Sequence, residues 1–307
     1  MTGTASTNTN TSTNAKAKAN PPGGIRRVGI VGYGTMGSGL AETCARAGLD
    51  VVVVASSPDA VPIARRRMVT SLDRAVARGK ASEADRDAAL ARTAFTADLE
   101  ELADRDAVVE AIREDIDEKS DLFMALDKVV ESERAILASN TSSIPIMRLA
   151  RVTTRPEQVV GAHFFSPVTA QPLVELIGSL LTADDTMHRM TEFVAGTLGK
   201  QPIRSPDRSG FVVNALLIPY LLSAIKMVES GFATAEVVDQ GMTLGCSHPL
   251  GPLRLTDLIG LDVVAAVAES LHREFRDSQF VPPALLLRMV EAGLLGKKTG
   301  RGFYPYS

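Results

Sequence analysis

The 307-residue chain contains no tryptophan, few aromatic side chains (5%) and only two cysteines, Cys44 and Cys246. Two cysteines exclude a disulfide framework, and with no export signal in view they fit the reducing cytoplasm. An excess of one charge sign is also missing. The net charge of −3 implies no large basic field, so a nucleic-acid partner is not expected. Nor does any apolar run reach the roughly 20 residues that a membrane helix needs. Residues 1–24, rich in Thr, Asn and Ala, lack apolar side chains to bury. Such a segment cannot offset its ordering entropy and reads as a disordered tail with no signal-peptide core. What remains is long enough for two domains, and its 45% hydrophobic and 22% charged content is ordinary for a globular protein.

The organised part begins with a short apolar run over residues 26–31, followed by "GYGTMG". From Thr35 the apolar spacing turns helical, with Met36, Leu40, Ala41 and Cys44 on one face, and Gly48 closes that helix. Residues 51–54 are four valines, as expected for a strand covered on both faces. Strand, glycine turn, helix and strand make one βαβ unit, the context in which G-x-G-x-x-G marks a dinucleotide site. Gly32 permits the tight turn, Gly34 lets the backbone approach a pyrophosphate, and Gly37 lets helix and strand pack closely. Thr35 and Met36 open the helix, whose free N–H groups and positive dipole end face the phosphates.

One residue normally found at such a site is absent. A carboxylate at the end of the second strand bonds the adenosine ribose and repels a 2′-phosphate. Ala55 stands there, followed by Ser56 and Ser57. The missing acid favours NADP(H), with NAD(H) left open. Ser56 and Ser57 are candidate donors to the phosphate, and Arg65 or Arg66 of the next helix are candidate cations.

Further on, residues 60–78 read as an amphipathic, arginine-rich helix. "DAVVEAI" and "AILASN" are apolar runs ending in polar residues, which places Glu110, Glu114, Ser139, Asn140 and Ser142 on one rim of a sheet. "QVVGAHFFSP" is a further strand carrying His163, and "LVELIG" carries Glu175. A histidine titrating near neutrality suits proton transfer to or from an alcohol oxygen. A carboxylate on its other ring nitrogen fixes the tautomer and supports the imidazolium. His163 and Glu175, on neighbouring extended segments, are candidates for this pair. Beyond Gly210 the pattern is helical throughout. Phe211, Leu217, Tyr220, Leu221, Ile225 and Val228 spread over more than one stripe, which reads as a helical domain with a subunit interface. His248, before Pro249, reads as a turn residue. The predicted architecture is therefore an α/β Rossmann-like domain over residues 25–208 followed by an all-α domain over residues 209–307.

Eight segments occur in order: "GYGTMGSGLAE", "VVEAIRED", "ASNTSSIP", "GAHFFSP", "LVELI", "SGFVVNALLIPYL", "GCSHPLGPLRLTDLIGLD" and "GKKTGRGFYPY". In this order the chain, from about Ile25 onward, resembles the 3-hydroxyacyl-CoA dehydrogenase family, and within it the stand-alone bacterial 3-hydroxybutyryl-CoA dehydrogenases. The resemblance implies NAD(P)-dependent interconversion of 3-hydroxyacyl-CoA and 3-oxoacyl-CoA by a homodimer, with His163 and Glu175 as the acid–base pair. Ser142 and Asn214 match residues that hold the substrate oxygen. Glu114, Lys119 and Lys298, together with Ser142, match cofactor contacts. Ser71 and Arg78 match coenzyme A contacts, with Arg74 and Lys80 adding charge nearby. The chain departs from the family at Ser166, where an asparagine usually helps hold the cofactor. Two other readings share the scaffold: a non-catalytic, crystallin-like binding protein, which would not need the His–Glu pair, and a dehydrogenase of a free hydroxy acid, which would not need the coenzyme A helix.

Overall fold

The computed structural model describes residues 24–306. The segment read as a disordered tail lies outside the described residues apart from Gly24. The chain starts with β1 (Arg27–Val31), α1 (Thr35–Arg46) and β2 (Asp50–Val54). A tight turn at Pro58–Ala60 leads into α2 (Val61–Ala77), then α3 (Glu83–Ala91) and β3 (Thr93–Thr96). The sheet continues through β4 (Ala107–Glu110), α4 (Ile116–Val129), β5 (Ile136–Ser139), α5 (Ile146–Ala150), β6 (Val159–Phe164) and β7 (Leu173–Gly178). After α6 (Asp184–Glu192) it ends with β8 (Gln201–Pro206).

These strands form one sheet in the order β3-β2-β1-β4-β5-β6-β7-β8. Pairing is parallel from β3 to β6; β7 runs antiparallel to β6, and β8 parallel to β7. The valine run of β2 is buried on both faces. Val51 and Val53 pack with Leu40, Ala41 and Cys44 of α1, while Val52 and Val54 join the cluster on the opposite face, with Phe123 and Leu126 of α4. The period-2 alternation of strand side chains divides one apolar run between two cores. Three elements, α3, β3 and β8, have no clear apolar pattern in the sequence. Both strands lie at sheet edges, and β8 exposes most of its residues, so neither needs one.

The remaining helices are α7 (Val213–Glu229), α8 (Ala235–Gly245), α9 (Pro252–Ile259), α10 (Leu261–Phe275) and α11 (Ala284–Glu291). They enclose a separate core that includes Leu221, Leu222, Leu253, Leu261, Leu271 and Leu286. Phe211, Leu221 and Ile225 are buried within the chain, and Leu217, Tyr220 and Val228 partly so. The residues read from sequence as surplus apolar surface are thus largely covered internally. The apolar surface that stays open is different: Leu216, Phe232, Val237, Leu244 and Leu258.

Two buried carboxylates hold this domain's C-terminal strap. Asp239 accepts from Leu253 N and Arg254 N at the start of α9, and from the Tyr304 hydroxyl. Asp257 accepts from Phe303 N, Tyr304 N and the Tyr306 hydroxyl. Burial and the adjoining carboxylates push both tyrosine hydroxyls up, Tyr306 to about 12. Gly302 belongs to this latch, since a Cβ there would lie 2.0 Å from Asp257 Oδ1. His248 closes a turn by a 3.1 Å hydrogen bond between Nδ1 and the Tyr220 hydroxyl. Asp257→Ala strands three donors, so it should destabilise the protein by about 2–4 kcal/mol in urea unfolding. A loss under about 0.5 kcal/mol, the range of an ordinary surface substitution, would exclude the latch.

Candidate active site

The glycine turn lies where β1 meets α1, and its geometry explains each glycine. Gly32 has φ of +109°, and a Cβ there would sit 2.5 Å from the Ala111 carbonyl oxygen. At Gly37 a Cβ would sit 2.1 Å from the Gly32 carbonyl oxygen. At Gly34 it would meet nothing within 4 Å. Gly34 is therefore not small for packing; it leaves open space above the turn. Gly34 is also the N-cap of α1, without a side-chain cap, and the first turn carries no acid. Uncapped N–H groups facing an open glycine fit the pyrophosphate of a dinucleotide. The cleft has a volume of about 650 Å³ and runs along Gly34, Thr35, Met36, Val54, Ala55 and Ser56. Tyr33, Arg113 and Glu118 also line it and went unnoticed in the sequence, although Tyr33 lies inside the glycine motif.

His163 and Glu175 face each other across the β6–β7 pair. Nδ1 of His163 lies 2.8 Å from Oε2 of Glu175, leaving Nε2 as the free ring nitrogen. The other carboxylate oxygen accepts from Val212 N and Val213 N, both at 2.9 Å, at the N-terminus of α7. The Glu175 side chain is fully buried and that of His163 is 9% exposed. Phe165 and Phe211 flank the imidazole with ring centroids at 4.5 and 5.7 Å. Phe211 adopts φ of +47°, a costly conformation for a bulky residue, immediately after Gly210 at +75°. The strained corner delivers the α7 N-terminus to Glu175 and places Asn214 in the first turn of that helix. Among the described residues the Asn214 side chain has no hydrogen-bond partner.

Ser142 follows β5 on a loop held from two sides. Glu114 Oε1 accepts from Ser142 N, Ser143 N and the Thr141 and Ser143 hydroxyls. From the helical side, the Ser209 hydroxyl donates to the Ser143 carbonyl, and Asp207 accepts from Ile146 N and Met147 N. Glu114 in turn meets Lys119 at 3.2 Å, and Lys119 meets Glu110 at 2.6 Å. Lys119 and Glu110 are buried, and Ser139 donates to Glu110 at 2.6 Å. Glu110 and Ser139, expected on the crevice rim, thus lie beneath it as a support. Asn140 accepts from Phe164 N and ties β5 to β6 beside His163.

The other sequence candidates are scattered. Ser57 is half-buried, beyond the residues that line the cleft. Ser166 is exposed and its hydroxyl bonds nothing among the described residues. Its loop is anchored instead by Lys200, which donates to the Val168 and Gln171 carbonyls. Lys298 sits in the helical domain, bound to both oxygens of Asp262. The Ser71 hydroxyl donates to the buried Glu42 of α1 rather than standing free. Arg74, Arg78 and Lys80 are exposed along and just past α2. Arg65 and Arg66 are exposed with no contact to the glycine turn, whereas Arg67 reaches it.

A glycine-turn cleft fitted to a dinucleotide and a buried His–Glu pair are the two parts that nicotinamide-dependent alcohol–ketone chemistry requires. The family model for the NAD binding domain of 3-hydroxyacyl-CoA dehydrogenase matches residues 27–208, and that for its C-terminal domain matches residues 210–306. The chain belongs to the 3-hydroxyacyl-CoA dehydrogenase family. It is 55% identical over 282 residues to the 3-hydroxybutyryl-CoA dehydrogenase of Mycobacterium tuberculosis, covering 92% of this chain and 99% of that one. The crystal structure of M. tuberculosis FadB2 superimposes with a TM-score of 0.91 at 55% identity, covering 92% of this chain and 100% of that one. That of (S)-3-hydroxybutyryl-CoA dehydrogenase PaaH1 from Ralstonia eutropha gives 0.86 at 47% identity, over 92% and 99%.

The Glu114 carboxyl lies below its usual range. Partial burial opposes its ionisation, but the Lys119 ammonium and the Thr141 and Ser143 hydroxyls outweigh that cost. A depressed folded pKa adds stability that is present above the unfolded value, near about 4.3, and is lost as pH falls through the lower folded value. The stability curves of the wild type and Glu114→Gln should therefore separate above about pH 4.3 and converge in acid. Parallel curves from pH 3 to pH 8, roughly the span that brackets this titration, would exclude an ionised Glu114 as the loop anchor.

Proposed function

We propose that the protein interconverts 3-hydroxybutyryl-CoA and acetoacetyl-CoA, with His163 as general acid–base. The single observation that carries the reading is the 2.8 Å His163–Glu175 pair, with the second Glu175 oxygen held by two N–H groups of the α7 N-terminus. The nicotinamide ring, when bound, supplies the acceptor for the hydride leaving C3 of the alcohol and the donor for the reverse reaction. Gly32, Gly34, Gly37, Thr35 and Met36 hold the dinucleotide, and Ala55 and Ser56 border its adenosine end. In the oxidative direction Nε2 of His163 takes the hydroxyl proton; in reduction it returns that proton to the carbonyl oxygen. Glu175 keeps the hydrogen on Nδ1 and stabilises the imidazolium. Ser142 and Asn214 orient the substrate oxygen, which lowers the barrier by position and charge together. Glu114 and Lys119 act through the Ser142 loop as positioning residues. The acyl-CoA follows α2, where Arg74 and Arg78 offer charge to its phosphates.

For the cofactor, the reading favours NADP(H). Ala55 is buried at the end of β2 and supplies no carboxylate to repel a 2′-phosphate. The acid among the cleft-lining residues, Glu118, is ion-paired with Arg113 on the β4 side of β1, away from β2. A cytoplasmic setting is consistent with two unpaired cysteines. Among the described residues no helix is long and apolar enough to cross a membrane.

The exposed side chains of Leu216, Phe232, Val237, Leu244 and Leu258 on and around α7, α8 and α9 support a homodimer joined through the helical domains. Leu216→Asp with Leu244→Asp should halve the mass seen by light scattering; an unchanged mass removes this face as the interface.

Nicotinamide absorbance should change with acetoacetyl-CoA and not with free acetoacetate. His163→Ala and Glu175→Gln should each cost about 100- to 10,000-fold in turnover while dinucleotide binding survives. Turnover of acetoacetate alone would indicate a free-acid dehydrogenase. No turnover with either substrate would leave a binding protein.

A further inference from the structure

We propose that Arg67 is the residue that binds the 2′-phosphate of the cofactor and so sets the preference for NADP(H); this rests on the NADP(H) reading above. The placement starts from β2. Its last residue, Val54, pairs in register with Val31, and Gly32 N donates to the Val54 carbonyl at 3.0 Å. The glycine turn and the end of β2 are therefore one locality, with Ala55 where the ribose carboxylate would stand. The side chain of Tyr33, the residue between the first two glycines, packs against the cluster of Ala55, Ala60 and Ala64. Tyr33 thus forms a wall between the strand end and α2.

Arg67 reaches that wall. Its guanidinium carbon lies 5.6 Å from the Tyr33 ring centroid, and its Nη1 donates to the Tyr33 carbonyl at 3.3 Å. The helical repeat explains why Arg67 does so while Arg65 and Arg66 do not. Ala60, Ala64 and Arg67 are spaced i, i+4, i+7, so the face that packs on Tyr33 and Ala55 also carries Arg67. Arg65 and Arg66 are turned away by roughly 100° and 200° from Ala64, at about 100° per residue.

Two further features suit a phosphate ligand. Arg67 has no carboxylate partner among the described residues, unlike Arg86, which pairs with Asp73 and Asp87. A guanidinium carries five N–H donors, and the Tyr33 carbonyl takes one of them, so a fork remains for phosphate oxygens. The cation–π contact with Tyr33 holds the guanidinium without neutralising it. The chemistry recognised is an adenosine phosphomonoester. Coenzyme A carries one as well, at its 3′ position, so the test must separate the two sources.

Binding to the cofactor-free protein is measured by calorimetry for 5′-AMP, 2′,5′-ADP and 3′,5′-ADP, and KM is measured for NADPH, NADH and acetoacetyl-CoA. The wild type should bind 2′,5′-ADP more tightly than 5′-AMP. Arg67→Gln should weaken 2′,5′-ADP and raise the NADPH KM by about 10- to 100-fold, the scale of one charge-assisted contact. Its affinity for 5′-AMP and its KM for NADH should stay within about twofold, since neither carries the phosphate. Arg67→Lys should recover part of the loss. If Arg67→Gln weakens 5′-AMP and 2′,5′-ADP equally, Arg67 only braces the turn and the assignment fails. It fails as well if the change falls on 3′,5′-ADP and acetoacetyl-CoA, which would make Arg67 a coenzyme A contact. A wild type that binds 5′-AMP and 2′,5′-ADP alike overturns the NADP(H) reading itself. A wild type that discriminates, with Arg67→Gln still discriminating, overturns Arg67 alone.

Discussion

The buried carboxylate of Glu175 is the interaction on which the rest of the site depends. One oxygen holds His163 in the sheet, and the other accepts two backbone N–H groups from the start of α7. A buried carboxylate is expensive unless it is hydrogen-bonded, and here three donors serve its two oxygens. The helix dipole adds a favourable field at the same point. Consequently the orientation of the imidazole and the docking of the helical domain are not separate problems. If α7 moved away, Glu175 would lose its donors, and His163 would lose a properly oriented partner. The positive φ at Gly210 and Phe211 is the backbone cost of bringing that helix start to the sheet.

A second chain of contacts supports the substrate side. Glu110 and Lys119 form a buried ion pair that replaces apolar packing at the ends of β4 and β5. Breaking such a pair by removing one partner leaves an uncompensated buried charge, at a cost of about 3–5 kcal/mol. Its structural use is to aim Glu114, which collects the backbone N–H groups of Ser142 and Ser143. The Ser142 loop is thus held by a carboxylate on one side and by Ser209 on the other. Ser209 lies in the corner that leads into α7, so this network also joins the two halves of the chain.

The helical domain follows the same rule. Asp239 and Asp257 are buried because backbone N–H groups and tyrosine hydroxyls surround them. Gly251 and Gly302 are small because the side chains of Asp239 and Asp257 occupy the space a Cβ would need. The ordered segments that look like a family pattern near the C-terminus are, in physical terms, one latch between α8, α9 and the final strap.

The βαβ unit, the glycine turn and the helical second half were legible in the sequence, because these rest on local periodicity and on residues with unusual backbone freedom. The sequence also singled out His163 and Glu175, since paired chemistry on adjacent strands needs only their types and order. Tertiary structure decided the partners. Nothing in the spacing of Glu110, Glu114 and Lys119 says that they form one buried chain, because that depends on which strand ends meet. Likewise three consecutive arginines look equivalent at residues 65–67, and only the packing of α2 against Tyr33 and Ala55 selects Arg67. Edge strands β3 and β8 were illegible for a related reason: an edge needs little apolar pattern, so pairing rather than composition made them strands. Local patterns fix what a segment can become, whereas burial, hydrogen-bond satisfaction and charge pairing are settled only where distant segments meet.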